Sequence, residues 1–145
     1  MRNLLLLFIL ILCASCRSND KEESLPIQYG KWYLYKEEVT LTIGGGTTTS
    51  SNNYEGCSSK SNIQILTNNG HDAGNVTNIA GEIYESCNSI STVTGTYYDE
   101  PKILNLITYN NGQTKYYEYK VTFNNNEMIL KYNEGTISRT IYCTK

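Results

Sequence analysis

The stretch KILNLITYNNGQTKYYEYKVTFNNNEMILKYNEGTISRTIYC, residues 102–143, holds four runs of alternating apolar and polar residues cut by three short turns. The runs are Lys102–Tyr109, Gln113–Phe123, Glu127–Tyr132 and Thr136–Cys143. The turns are Asn110-Asn111-Gly112, Asn124-Asn125-Asn126 and Asn133-Glu134-Gly135, and Asn and Gly tolerate the positive φ that tight hairpins demand. Consecutive strands joined this way form an antiparallel meander. Alternation then assigns faces, because successive side chains of a strand point to opposite sides. In the second run Lys115, Tyr117, Tyr119, Val121 and Phe123 share one side, against Tyr116, Glu118, Lys120 and Thr122. In the third run Met128, Leu130 and Tyr132 oppose Glu127, Ile129 and Lys131.

Working outward, strands are expected over Lys31–Ile43, Asn62–Leu66, Ile79–Glu85 and Ile90–Tyr98. The run His71–Val76 holds Gly74 and little that is apolar, and it is dropped to leave eight strands. Lys31–Ile43 changes phase: Trp32 and Leu34 are even, whereas Val39, Leu41 and Ile43 are odd. A bulge near Glu37-Glu38 accounts for the change, as bulges bend long barrel strands. No part of the chain beyond the leader has helical periodicity. The expected fold is therefore all-β, a small antiparallel up-and-down barrel of about eight strands over residues 27–145, closed because closure removes exposed edges. Gly44–Gly56 reads as a flexible loop that would act as a lid at the barrel mouth.

The chain has 145 residues, and its first 15 are set apart by composition. Met1-Arg2 is followed by an uncharged apolar run, Leu4–Leu12, which is too short for a span of about 20 residues and ends in Cys13-Ala14-Ser15-Cys16. This arrangement reads as a secretory leader (1–15) and resembles a bacterial lipobox, in which the cysteine after the small residues is acylated. Cys16 would then be the lipidated first residue of the mature protein, with Cys13 standing where such sites usually have Leu. The competing reading of Cys13-x-x-Cys16 as a redox or metal pair lacks a βαβ unit or second ligand pair to complete it. Residues 16–26 are polar and aperiodic, a solvated tether. Within it Lys21-Glu22-Glu23 is similar to the acidic export tag of surface lipoproteins in some Gram-negative lineages. The expected location is the bacterial cell envelope, as an outer-membrane lipoprotein that the tag would bring to the cell surface, with the membrane as partner through the lipid.

Without Arg2 the mature chain has 11 basic against 14 acidic residues, a formal charge of −3. Scattered lysines and weak acidity argue against nucleic acid, whose phosphates call for clustered Lys and Arg. About 130 residues suffice for one core. Cys57, Cys87 and Cys143 remain after lipidation, so an oxidising compartment implies one disulfide and one leftover thiol, with three pairings open.

Several of these features together resemble the lipocalin-like domains of bacterial lipoproteins. They are Gly30-Lys31-Trp32 opening the first strand, Cys57-x-x-Lys60 before Ile63-x-Ile65, the second cysteine Cys87, Gly95-Thr96-Tyr97 where the family more often has Gly-Thr-Trp, and the closing meander. The likeness covers roughly residues 27–143. It implies a Cys57–Cys87 disulfide, with Cys143 free or in a mixed disulfide. It also implies that Trp32 closes one end of the barrel under a basic side chain of the last strand, which would be Arg139, the two forming a cation–π pair.

No catalytic, metal or cofactor site is expected. His71, the single histidine, sits among the turn formers Asn69-Gly70 and Asp72. Gly44-Gly45-Gly46-Thr47 lacks the Gly-Lys-Ser/Thr ending of a phosphate loop. In extended chain the members of Glu37-Glu38 and of Asp99-Glu100 point to opposite faces, so neither pair is expected to converge on a substrate as an acid–base couple. The leading expectation is a binding module that holds a small apolar or amphipathic molecule, with Tyr117, Tyr119, Phe123, Met128 and Leu130 as lining residues. An eight-stranded barrel has room for side chains or for one small ligand. The rival is a non-enzymatic surface protein with a filled barrel that binds a protein or glycan through outward tyrosines such as Tyr33, Tyr35 and Tyr116.

Overall fold

The computed structural model describes residues 28–66, 76–110 and 112–145; the expected leader and tether, with Cys16, and His71 lie outside the described residues. Among the described residues nine strands form a single antiparallel sheet: β1 (Gly30–Ile43), β2 (Gly46–Asn53), β3 (Asn62–Ile65), β4 (Val76–Ser86), β5 (Ser89–Tyr98), β6 (Ile103–Asn110), β7 (Gln113–Asn124), β8 (Glu127–Glu134) and β9 (Ile137–Thr144). A short 3-10 turn, Ser58–Lys60, precedes β3. The order is β2-β1-β3-β4-β5-β6-β7-β8-β9, and β1 also pairs with β9. Eight strands, β1 and β3–β9, thus close an up-and-down barrel, and β2 is an additional strand.

The meander of residues 102–143 folds as its alternation demands. Hairpin registers run Asn110↔Gln113, Asn124↔Glu127 and Glu134↔Ile137, and Gly112, Asn125 and Gly135 supply the positive φ. Tyr119, Val121, Met128 and Leu130 are buried, while Tyr116 on the opposite face is 73% exposed.

β2 departs from the sequence reading. The expected lid loop is instead a hairpin arm: Gly44 and Gly45 both have positive φ (58° and 83°), as a two-residue type I′ turn requires, and Ile43 pairs with Gly46. Every β2 residue is exposed, so Gly46–Asn53 carries no alternation to mark it as a strand. β2 pairs with Lys36–Ile43 on the same edge of β1 that β3 occupies over Gly30–Tyr33. The arm therefore rises beyond the barrel wall.

The phase change in β1 is real but falls earlier than Glu37-Glu38. The β1–β9 register slips between Leu34↔Cys143 and Lys36↔Tyr142, which places the extra residue at Tyr35. Trp32 and Leu34 face inward before it, and Glu37 faces inward after it. Glu38 points out, bonded to Lys36 (2.7 Å) and accepting from the Tyr142 hydroxyl (2.9 Å), so the two adjacent acids do sit on opposite faces.

One end of the barrel is packed solid. Trp32 is fully buried, its indole N–H donates to the Gln28 carbonyl (3.0 Å), and its ring lies 5.5 Å from Phe123, which meets Tyr97 edge-on at 5.9 Å. Met128, Leu130, Leu104 and the free thiol of Cys143 complete this plug. The cation over Trp32 is Lys145, its Nζ 4.9 Å from the ring centroid. The anticipated Trp32–Arg139 pair does not form, because β9 places Arg139 opposite Val39, several residues along the wall from the Leu34↔Cys143 level, where it bonds Glu37. Cys57 and Cys87 form a disulfide at the other end of the barrel, tying the connection after β2 to the β4–β5 turn.

Candidate functional site

Above the plug the side chains stop filling the interior and leave a cavity of about 460 Å³, within the range typical of small-molecule pockets. Its floor is aliphatic, made by Leu34, Ile63, Val93, Leu106 and Ile141, inward positions of β1, β3, β5, β6 and β9. These five follow from strand alternation alone. The polar wall follows from the bulge at Tyr35: in a regular strand, alternation from Leu34 would turn Lys36 and Glu38 inward, and the bulge brings Glu37 into the cavity instead.

Glu37 meets Arg139 there, with Arg139 Nε 2.8 Å from Oε1. The Arg139 guanidinium also donates to the Tyr119 hydroxyl oxygen. Burial works against the Arg139 charge, but Glu37 and the hydroxyls of Tyr119 and Tyr117 more than offset it, so its pKa rises. Burial pushes Tyr119 up to about 12, against the opposing pull of Arg139. Tyr54, carried by the segment after β2 and held by its N–H to the Tyr35 carbonyl (3.0 Å), closes the same wall, and burial raises its pKa, helped by Glu37. Tyr117, Tyr119 and Tyr132 pack against one another at 5.5 to 6.0 Å between ring centroids, which fixes the wall's shape. Nearer the rim, Glu85 accepts from Ser91 (2.9 Å) and Ser89 (3.3 Å), and Lys115 stands on β7.

Of the five lining residues expected from sequence, Tyr117 and Tyr119 line the cavity. Phe123, Met128 and Leu130 do not: they lie further along β7 and β8 and belong to the plug around Trp32. The same alternation serves both halves of a strand, so facing inward could not distinguish plug from cavity. Glu37 and Tyr54 were not among the expected site residues, and Arg139, expected over Trp32, lines the cavity instead. The phase change in β1 was the available signal for Glu37. Among the described residues no group of three or more His, Cys, Asp or Glu is placed to hold a metal ion.

Tyr33, Tyr35 and Tyr116 are exposed on the outer wall, at 41%, 38% and 73%. Tyr35 packs on Tyr142 at 6.2 Å and its hydroxyl donates to Glu127, while Tyr116 lies on β7, separated from β1 by β8 and β9. The three do not make one strip.

The architecture is thus a closed eight-stranded β-barrel with a plugged end and a cavity whose polarity is split between an aliphatic floor and a tyrosine-rich, ion-paired wall. No family model, curated protein or solved structure matches the chain.

Proposed function

We propose that this chain is a lipid-anchored envelope lipoprotein of lipocalin-like type whose barrel takes up a small amphipathic molecule without transforming it. The cavity carries the reading. A barrel that works through its outer face gains stability by filling its interior, whereas here close packing ends at the aliphatic floor and Arg139, Glu37 and Tyr119 are held around open space. The split lining suits a molecule with both apolar and hydrogen-bonding parts. The lipid anchor and envelope location draw on the lipobox-like Cys13-Ala14-Ser15-Cys16 and the polar tether. The filled-barrel alternative has less support, since the interior is open and the outward tyrosines are dispersed.

Native mass spectrometry of the protein released from its own envelope tests the reading. The expected result is a reproducible adduct lost on denaturation, and lost again when the cavity is blocked by Val93→Trp with the barrel still folded. A folded protein with no adduct, and no uptake of amphiphiles offered in titration, would refute it.

A further inference from the structure

Past the cavity, the inward face of β1 continues up the β1–β2 arm and ceases to be buried. The line Glu37, Val39, Leu41, Ile43 keeps one parity, with Leu41 40% and Ile43 72% exposed. On β9, Arg139 lies opposite Val39, and Ile137, 41% exposed, lies opposite Leu41. Leu41, Ile43 and Ile137 thus form an exposed apolar strip that meets the Glu37–Arg139 pair at its lower end. From Glu37 to Ile43 the strip rises about 20 Å, at roughly 3.3 Å per residue. Along the barrel axis the surface is therefore aliphatic at the floor, ionic and hydrogen-bonding in the middle, and aliphatic again above the mouth.

The middle belt offers one carboxylate, the tyrosine hydroxyls and several cationic N–H donors. Glu37 accepts, and the five N–H groups of Arg139 exceed what Glu37 and Tyr119 take up. Because the pair is already neutral, a bare anion gains from Arg139 but meets the Glu37 charge. A neutral group with a donor and an acceptor side by side satisfies both partners.

Building on the binding-barrel reading, we infer that the ligand class is a neutral amide with two apolar arms, an N-acylated amine. Its amide N–H faces Glu37 and its carbonyl faces Arg139. One arm fills the aliphatic floor, and the other lies along Leu41, Ile43 and Ile137.

The test uses the full chain in phosphatidylcholine vesicles, with protein-free vesicles as blank, and titration calorimetry of three probes: N-isopentyl hexanamide, hexanamide and isopentyl hexanoate. The two-armed amide is expected to bind about tenfold tighter than hexanamide, which is what roughly 60 Å² of added apolar contact is worth. The ester, which lacks the N–H, is expected to bind at least about tenfold more weakly than the amide. The double variant Leu41→Ser/Ile43→Ser, at exposed positions, is expected to bring the two-armed amide down to the affinity of hexanamide and leave hexanamide unchanged. Equal binding of amide and ester, or no effect of the double variant, overturns the inference while the binding barrel stands. Failure of all three probes, together with a cavity that takes up no other amphiphile, overturns both.

Discussion

Replacing both cysteines of the disulfide, Cys57→Ser/Cys87→Ser, is expected to cost about 3.6 kcal/mol. The bond closes a loop across a sequence separation of 30 residues. In the chain-entropy model a loop of that length removes about 12 cal/mol/K from the unfolded ensemble, which gives about 3.6 kcal/mol at 25 °C. Cys143 does not complicate the comparison, because it is fully buried and burial pushes its thiol pKa up, which keeps it from exchange. The assay is equilibrium urea unfolding followed by the fluorescence of Trp32, the single tryptophan, which sits in the plug far from the disulfide. At a urea slope of about 1.5 kcal/mol/M this corresponds to a midpoint lower by about 2.4 M, and the slope should rise as the denatured chain, no longer cross-linked, exposes more surface. A loss below about 1 kcal/mol would refute the entropic reasoning and show that the denatured chain already holds the two segments together.

Three further outcomes follow from named contacts. Gly95→Ala puts a Cβ 1.9 Å from the Asn105 carbonyl oxygen and 3.2 Å from the Leu106 Cα, both backbone, so β5 and β6 must part; thermal unfolding should show a loss of about 1–3 kcal/mol, and a change within 0.5 would contradict the close approach. Lys145→Gln should shift the emission of Trp32 and cost about 0.5–1 kcal/mol, whereas Arg139→Gln should leave that emission unchanged; the reverse pattern would restore Arg139 as the cation at the plug. Alkaline pH should destabilise the fold. Unfolded tyrosines ionise near pH 10, whereas buried Tyr119 holds its proton to about 12 and burial likewise raises Tyr54 and Tyr97, so the native state binds more protons and stability falls as pH climbs from about 10 to 12, by about 1.4 kcal/mol per unit for each buried tyrosine. A urea midpoint that stays flat to pH 11.5 would contradict it.

The barrel was legible because its second half is written in two local codes that agree. Alternation in Gln113–Phe123 and Glu127–Tyr132 sets the faces, and Asn- and Gly-bearing turns set the registers. β2 was illegible for the converse reason: a strand exposed on both faces has no hydrophobic period, and only the Gly44-Gly45 pair marked its turn. The disulfide came through family likeness, since spacing alone left three pairings open. The site was less legible than the fold. Whether an inward residue packs or lines a cavity depends on how far along the axis its neighbours fill the space, a property of all eight strands at once. Arg139 illustrates this. Its strand was read correctly, but its partner is decided by the level at which β9 aligns with the bulged β1, and that alignment puts Glu37 in reach and Trp32 out of it.

Gly30 and Thr144 lie at the same end of the barrel, beside the Trp32 plug, while the turns and the arm that frame the cavity lie at the other. The chain preceding Gln28 therefore enters from the closed side. If the chain is held at Cys16 by a lipid, as proposed above, a barrel moored from its closed side would turn its opening away from the bilayer, and a ligand would reach it through water. The supply of ligand to such a site would be set by its solubility, and the proposed anchor would fix the address of the cup without feeding it.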